Sequence, residues 1–282
     1  MELLPLKEAI AAHVCDGARV ALEGFTHLIP FAAGHEIVRQ GRRNLHLIRM
    51  TPDLIYDQLI GVGCASRLTF SWGGNPGVGS LHRLRDAVEH GWPQPLALTE
   101  YTHAELALAY QAGASGMTCG FMPHHADTDL DQESSSSRRV VSCPFTARPL
   151  TAVPAIRPDV TILHAQQIDT AGNVLLRGII GAAKEAAHAA ERLLITVEQQ
   201  VTRLEADLNA VVLPSWMITA ASIVPGGAWP SYAHAYYPRD NRFYLAWDAI
   251  SRERSTFTAW MERHVLGVRD HAEHLRTLGV AT

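Results

Sequence analysis

Apolar positions along the chain switch between two spacings. Short, nearly continuous apolar runs predict strands over Ala18–Glu23, Leu45–Met50, Arg67–Trp72 and Leu96–Thr99. Between them, apolar residues recur every three to four positions over Ala33–Gln40, Pro52–Ile60, Ser80–His90 and His103–Gln111, the spacing of helices. Pro52 suits a first helical turn, with Thr51 before it as a cap. The second half repeats the theme: strand Asp159–Ala165, turn Asp169–Asn173, helix Gly181–Glu191 and strand Leu193–Val197. Alternation of this kind predicts an α/β fold, an open and mainly parallel sheet with helices on both faces.

Two segments break the rhythm. Asp127–Arg139 carries spaced aspartates, Glu133 and four serines, and reads as a mobile surface loop. From Asp240 onward, Trp247, Phe257, Trp260 and Val265 mark two or three helices that close the fold. Neither an internal repeat nor a linker divides the chain. The expectation is one domain over 1–282, with 240–282 a C-terminal helical extension. Leu208–Tyr237 has no charged side chain when His234 is neutral, but Pro214, Pro225, Pro230 and Gly226-Gly227 cut it too short to span a bilayer. It reads instead as two buried strands, Ala210–Leu213 and Ala220–Val224, joined by irregular chain.

Composition narrows the function classes. A chain of 282 residues that is 47% hydrophobic can bury a large core. A net charge of −4 with no basic stripe argues against nucleic acid as a partner. Cys15, Cys64, Cys119 and Cys143 form no C-x-x-C pair and read as buried reduced thiols. The N-terminus shows no signal-peptide pattern, and the expectation is a soluble, cytoplasmic protein.

Three loops are candidates for chemistry. Phe70–Ser80 places Gly73, Gly74, Gly77 and Gly79 between a strand and a helix, where backbone without Cβ atoms can approach a ligand closely. It lacks both the P-loop lysine and the dinucleotide-binding spacing. Val224–His234 bends at Gly226-Gly227 and presents Ser231, Tyr232 and His234. Glu23–Pro30 leaves the first strand, and the rule that ligands bind at strand ends puts Thr26 and His27 at a cleft. Each loop reads equally as a packing turn. His124, His125, Asp127 and Asp129 are metal-ligand types, but in a polar loop without geometry to aim them, so no metal is expected. No serine elbow or activated cysteine is present. Glu100 and Glu198, at strand ends, are the acid/base candidates. The residues alone thus describe a ligand-binding α/β protein with no nucleophile of its own.

Three stretches together resemble the alpha chains of class I CoA-transferases: Leu22-Glu-Gly-Phe with Ile29-Pro30, Phe70–Ser80, and Pro158–Gln166 followed by Asp169-Thr-Ala-Gly-Asn173. Arg49–Ile60 and Pro225-Gly-Gly-Ala228 are most similar to the chains that act on 3-oxoadipate in aromatic catabolism, and next to glutaconate-specific ones. The likeness runs from near residue 5 to about residue 260. It implies the sandwich shared with sugar-phosphate isomerases and a reaction moving CoA from succinyl-CoA to a 3-oxo dicarboxylate. It also implies a partner B subunit, in an αβ or α2β2 assembly, whose glutamate forms a glutamyl-CoA intermediate, with CoA thioesters as substrates and no other cofactor. On this chain it implies a supporting wall. Ser71 and Ser80 would face the partner's glutamate, and the wall would extend along Gly73, Gly74, Asn75, Gly77, Gly79, Phe25, Thr26, His27, Gly226 and Gly227. Ring-opening hydrolysis using Glu100, glutaconate-type transfer and a silent ligand-binding module are the alternatives. Three departures from the pattern bear on substrate identity: Glu23 in place of glycine, Met117–Phe121 in place of Leu-Pro-Phe, and Trp229 in place of histidine.

Overall fold

A computed structural model describes residues 1–124 and 137–280. Its centre is a ten-stranded sheet in which eight strands form one parallel path. Seven of these are β2 (Arg19–Leu22), β3 (Leu45–Ile48), β4 (Ala65–Phe70), β5 (Ala97–Glu100), β9 (Val160–Asp169), β11 (Arg192–Val201) and β13 (Ala220–Ile223). A short β1 (Glu2–Leu3) adds to the β13 edge. The order is β1-β13-β11-β9-β2-β3-β4-β5; β10 (Val174–Leu176) pairs antiparallel with β9, and β12 (Val211–Leu213) pairs antiparallel with β10.

The pattern of β2 explains the layers. Val20 and Leu22 point into one core, packed by Ile10, Phe31, Ile37, Leu54, Leu59, Trp247 and Phe257. Ala21, pointing the other way, joins Leu106, Ala109, Tyr110 and Ala186. Both faces of the strand are buried, so both require helices, and a parallel sheet permits that arrangement. The first face holds Leu6–His13, Phe31–Arg39, Leu54–Gly61 and the tail; the second holds His103–Ala114 and Ala183–Ala189.

Several boundaries differ from the expectation. The helix expected from Pro52 starts at Leu54, with Asp53 and not Thr51 at its cap position. β9 and β11 run on to Asp169 and Val201 because they pair with each other beyond the end of β2. β12, contrary to the expectation of a buried strand, lies at an edge with Val212 42% exposed. A separate three-stranded antiparallel sheet, β6 (Cys119–Pro123), β8 (Pro149–Pro154) and β7 (Arg139–Ser142), has no clear period in the sequence. Met117–Phe121, one of the departures, leads into it. The tail forms three α-helices, Asn241–Arg252, Arg254–Met261 and His271–Thr277. Of the four free cysteines only Cys64 is buried; Cys15 is exposed. The loop expected over Asp127–Arg139 lies, as far as residue 136, outside the described residues, as do His125, Asp127 and Asp129. Among the described residues no helix is long and apolar enough to cross a membrane.

Candidate active site

From β2 the chain winds outward to β3, β4 and β5, then returns to β9 on the other side and winds out again to β11 and β13. The order reverses at β2, and a crevice opens where such a sheet reverses. The carboxyl ends of β2, β3, β4 and β5 deliver Glu23–Leu28, Arg49–Asp53, Ser71–Gly79 and Tyr101–His103 to one edge. Between these loops lies a cleft of about 410 Å³ lined by Phe25, Thr26, Arg49, Thr51, Asp53, Trp72, Pro76, Gly77 and His103.

The floor of the cleft is a buried charge cluster. Arg49 is 1% exposed; its Nη1 donates to Asp53 Oδ1 at 3.0 Å and its Nη2 to the Gly24 carbonyl at 2.7 Å. Burial opposes the Arg49 charge, but Asp53, Tyr56 and Glu23 around it hold its pKa above the ordinary arginine value. Burial pushes Asp53 upward against the pull of Arg49. Glu23, also raised by burial, accepts from Tyr110 Oη at 2.9 Å and from the Met50 amide at 3.4 Å. The Met50 carbonyl in turn accepts from Ser71 N, Trp72 N and Ser71 Oγ, the last at 2.7 Å. Glu23 at the departing position thus ties the first loop to the second, and Met50 ties the second to the third. Replacing Arg49 by Met should destabilise the fold by about 3–5 kcal/mol, because two buried carboxylates lose their counter-charge. Chemical denaturation would show it, and a loss below about 1 kcal/mol would mean that water already screens the pair.

The first loop is tightly wound. Thr26 and Leu28 have φ of 56° and 52°, left-handed values that non-glycine residues adopt only when their surroundings enforce them. A Cβ at Gly24 would sit 2.8 Å from the carbonyl oxygens of His27 and Leu28. The winding turns Thr26 toward the cleft and His27 away from it, contrary to the expectation for His27. His27 is fully buried; Nδ1 donates to the Ile179 carbonyl at 3.0 Å, and Nε2 accepts from the His234 amide at 2.9 Å. Burial lowers its pKa to about 4, so it is a neutral strut that also stacks on Tyr232.

Of the glycine loop, Gly77 reaches the cleft, together with Trp72 and Pro76. Gly73 and Gly79 are exposed beside it, Gly74 is buried, and Ser80 is half-buried ahead of the helix His82–Glu89. That helix takes its N-terminal acceptor from Asp57, which receives Arg83 N and Leu84 N, and not from Ser80. Asn75 faces inward, 1% exposed, and donates to the Tyr244 carbonyl. Glu100 is exposed at the end of β5, outside the cleft lining.

Gly226, Gly227 and Glu198 belong elsewhere. With Pro225, Trp229, Tyr236, Tyr237 and Leu275, Gly226 and Glu198 line a second cavity of about 300 Å³. There Glu198 accepts from His164 Nε2 at 2.6 Å, Tyr237 Oη at 2.5 Å and Gly226 N at 2.8 Å. Burial raises its pKa, but those donors hold it below the usual carboxylate range. Gly227 is needed because a Cβ there would lie 2.7 Å from the buried His164 ring. Ser231 is fully buried and bonds to Ala228 O and Ile29 N. The Trp229 departure packs on Phe243 and His274. Among the described residues no group of three His, Cys, Asp or Glu converges on a metal position, and His124 is occupied by Thr151.

Arg49, Asp53 and His103 are cleft residues that sequence reasoning missed. The sequence places an aspartate four residues after the arginine that ends an apolar strand, close enough to pair, but an arginine in that position is ordinarily solvated.

The family model described as coenzyme A transferase matches residues 4–221. The alpha chain of a 3-oxoadipate CoA-transferase from Pseudomonas knackmussii is 59% identical over 272 residues, 96% of each chain. The alpha chain of a glutaconate CoA-transferase from Acidaminococcus fermentans is 28% identical over 299 residues, 99% of this chain and 92% of the relative. The crystal structure of glutaconate coenzyme A-transferase from that organism superposes with a TM-score of 0.91 at 27% identity, covering 99% of this chain and 93% of the other.

Proposed function

The chain belongs to the coenzyme A transferase family, and we propose that it is the alpha chain of a two-chain enzyme that moves CoA from succinyl-CoA to 3-oxoadipate. The observation that carries this reading is the near-full-length identity to a 3-oxoadipate-specific relative, 59% against 28% for the glutaconate relative. The cleft at the carboxyl ends of β2 to β5 supports it, since it offers largely apolar walls over a buried charged floor, and its one carboxylate, Asp53, is buried.

In this reading a glutamate of the partner attacks the thioester carbonyl of succinyl-CoA, giving a mixed anhydride and releasing the CoA thiolate. The thiolate attacks the glutamyl carbonyl, forming glutamyl-CoA and freeing succinate. The carboxylate of 3-oxoadipate then attacks glutamyl-CoA, and the returning thiolate takes its acyl group, which regenerates the glutamate. Nothing is oxidised or reduced, and the CoA thioesters are substrates. This chain supplies the facing wall. Ser71 and Ser80 face the partner's carboxylate, Ser71 once its hydroxyl turns from the Met50 carbonyl, and Phe25, Thr26 and Gly77 bound the acid. Donors held in place in a site that excludes water stabilise each oxyanion. Such substrates place the work in the cytoplasm.

The test is kinetic. Reconstituted with its partner, the chain should give parallel double-reciprocal lines for succinyl-CoA and 3-oxoadipate, because CoA stays on the enzyme between half-reactions. Intersecting lines would refute the covalent intermediate, and free CoA produced without an acceptor acid would identify a hydrolase.

A further inference from the structure

The glycine loop is held from two sides. On one, its start hangs on the Met50 carbonyl and Gly74 N bonds to the Pro52 carbonyl at 3.2 Å. On the other it is gripped by Arg239 and the C-terminal extension that follows it, both beyond the residues matched by the family model. Arg239 Nη2 donates to the Pro76 carbonyl at 2.7 Å, and its guanidinium lies 3.8 Å from the centre of the Tyr244 ring. One residue back, Asn75 Nδ2 donates to the Tyr244 carbonyl at 2.8 Å. Pro76, which lines the cleft beside Gly77, therefore sits directly on this grip.

The grip is itself rigidly mounted. Asp240 caps the helix Asn241–Arg252 through Phe243 N at 3.0 Å, and its own amide bonds to the Pro230 carbonyl. Farther along the helix, Trp247 Nε1 donates to Asp57 at 3.0 Å and Asp248 pairs with His82 at 2.9 Å. Two neighbouring loop residues thus bond to Arg239, just ahead of the helix, and to Tyr244 in its first turns, and that helix is tied to the start of the helix that follows the loop. A carbonyl facing a guanidinium is a charge-assisted bond, stronger than a neutral one. Tyr244 stacked beneath it fixes the direction of the fork. Loops of glycine and proline have little side-chain packing of their own, so external bonds set their conformation.

We propose that Arg239 is a positioning residue for the transfer reaction: through the Pro76 carbonyl, and together with the Asn75–Tyr244 bond, it holds the Gly73–Gly79 loop in the shape that forms the acid-binding wall. The substrate part of this inference rests on the function proposed above; the mechanical part does not.

The experiment pairs hydrogen exchange with kinetics on the complete two-chain enzyme. Arg239→Ala should raise exchange in the peptide spanning 71–81 by about tenfold, the scale of one lost charge-assisted bond. It should raise the KM for the acid by about tenfold while kcat stays within roughly threefold. Arg239→Lys, which restores a cation but not the fork, should recover part of both effects. Arg269→Ala removes an exposed ion pair in the same extension and should move neither. Should Arg239→Ala fail to assemble, Arg239→Gln carries the same comparison. Unchanged exchange over 71–81 would overturn the inference, and so would increased exchange confined to 241–252 with an unchanged KM. Absence of transfer by the unmodified enzyme would instead refute the proposed function, leaving the exchange comparison to decide the mechanical part.

Discussion

Purified without a partner, the chain is expected to transfer no CoA, and addition of the partner should raise turnover by roughly a thousandfold or more. The expectation comes from where its carboxylates lie. An attacking carboxylate must reach the thioester carbon with a lone pair to spare. Asp53 is the one carboxylate among the residues lining the cleft, and it is 1% exposed with Oδ1 committed to Arg49. Turning it outward would strip Arg49 of its counter-charge in a buried site, a cost of several kcal/mol before any chemistry begins. Glu23 sits behind the floor, held by Tyr110 and Met50. Glu198 faces a different cavity with three donors on its two oxygens. Glu100 is accessible but stands outside the cleft, where nothing excludes water from a reactive anhydride. Following thioester loss from succinyl-CoA with 3-oxoadipate, with and without the partner, checks the expectation. Turnover by the isolated chain that disappears in Asp53→Asn would refute it and make this chain the seat of catalysis.

The parts of this molecule that were legible in the sequence are those governed by local period. β2 to β5, their intervening helices and the β9–β11 pair each carry an apolar repeat that only a two-faced parallel sheet can bury, so the architecture follows from the pattern. The antiparallel β6–β8 excursion was not legible because its strands alternate weakly: Phe121 remains 55% and Val140 59% exposed. In the site, the Gly73–Gly79 loop and the Glu23–Leu28 turn were visible as punctuation after strands. What could not be read was direction. Whether His27 faces the cleft depends on two left-handed residues, and neither Thr26 nor Leu28 advertises that conformation. Gly226-Gly227 has the composition of a ligand loop, but its role is set by His164, more than sixty residues earlier, which needs the space above its ring. Arg49 does not stand out in sequence because a charged residue at the end of an apolar strand is normally solvated. Here the coiled first loop covers it.

Lowering the pH from about 6.5 to 5 should destabilise the fold steeply, and one set of three buried histidines should supply roughly 4 kcal/mol per pH unit of that slope. The source is a buried cluster that clasps the tail to the body. His35, on the helix Phe31–Arg39, lies 4.4 Å from His274 and 6.3 Å from His271, both on the helix His271–Thr277. His271 Nε2 donates to the Gly226 carbonyl at 2.9 Å, and His274 Nδ1 donates to the His264 carbonyl at 2.6 Å. Burial, reinforced by their neighbours and by Arg39, lowers His271 to about 3 and His274 to about 4, and puts His35 well below its ordinary value. The unfolded chain protonates these rings near pH 6.5, while the folded chain keeps them neutral. Protons therefore bind the unfolded state preferentially. The stabilisation is complete above 6.5 and is lost as the pH falls toward the folded values. Each such histidine contributes a slope of about 1.4 kcal/mol per unit, and three give about 4. Asp57, raised to about 6 by burial, acts in the opposite direction below that pH and offsets about one histidine. Urea unfolding at a series of pH values measures the slope. His274→Asn keeps a donor for the His264 carbonyl and removes one titrating ring, so the slope should fall by about 1.4 kcal/mol per unit. A slope that His274→Asn leaves unchanged would show that the cluster opens before it titrates. In that case the tail, and with it the Arg239 grip on the glycine loop, would come free at acid pH while the sheet still stands.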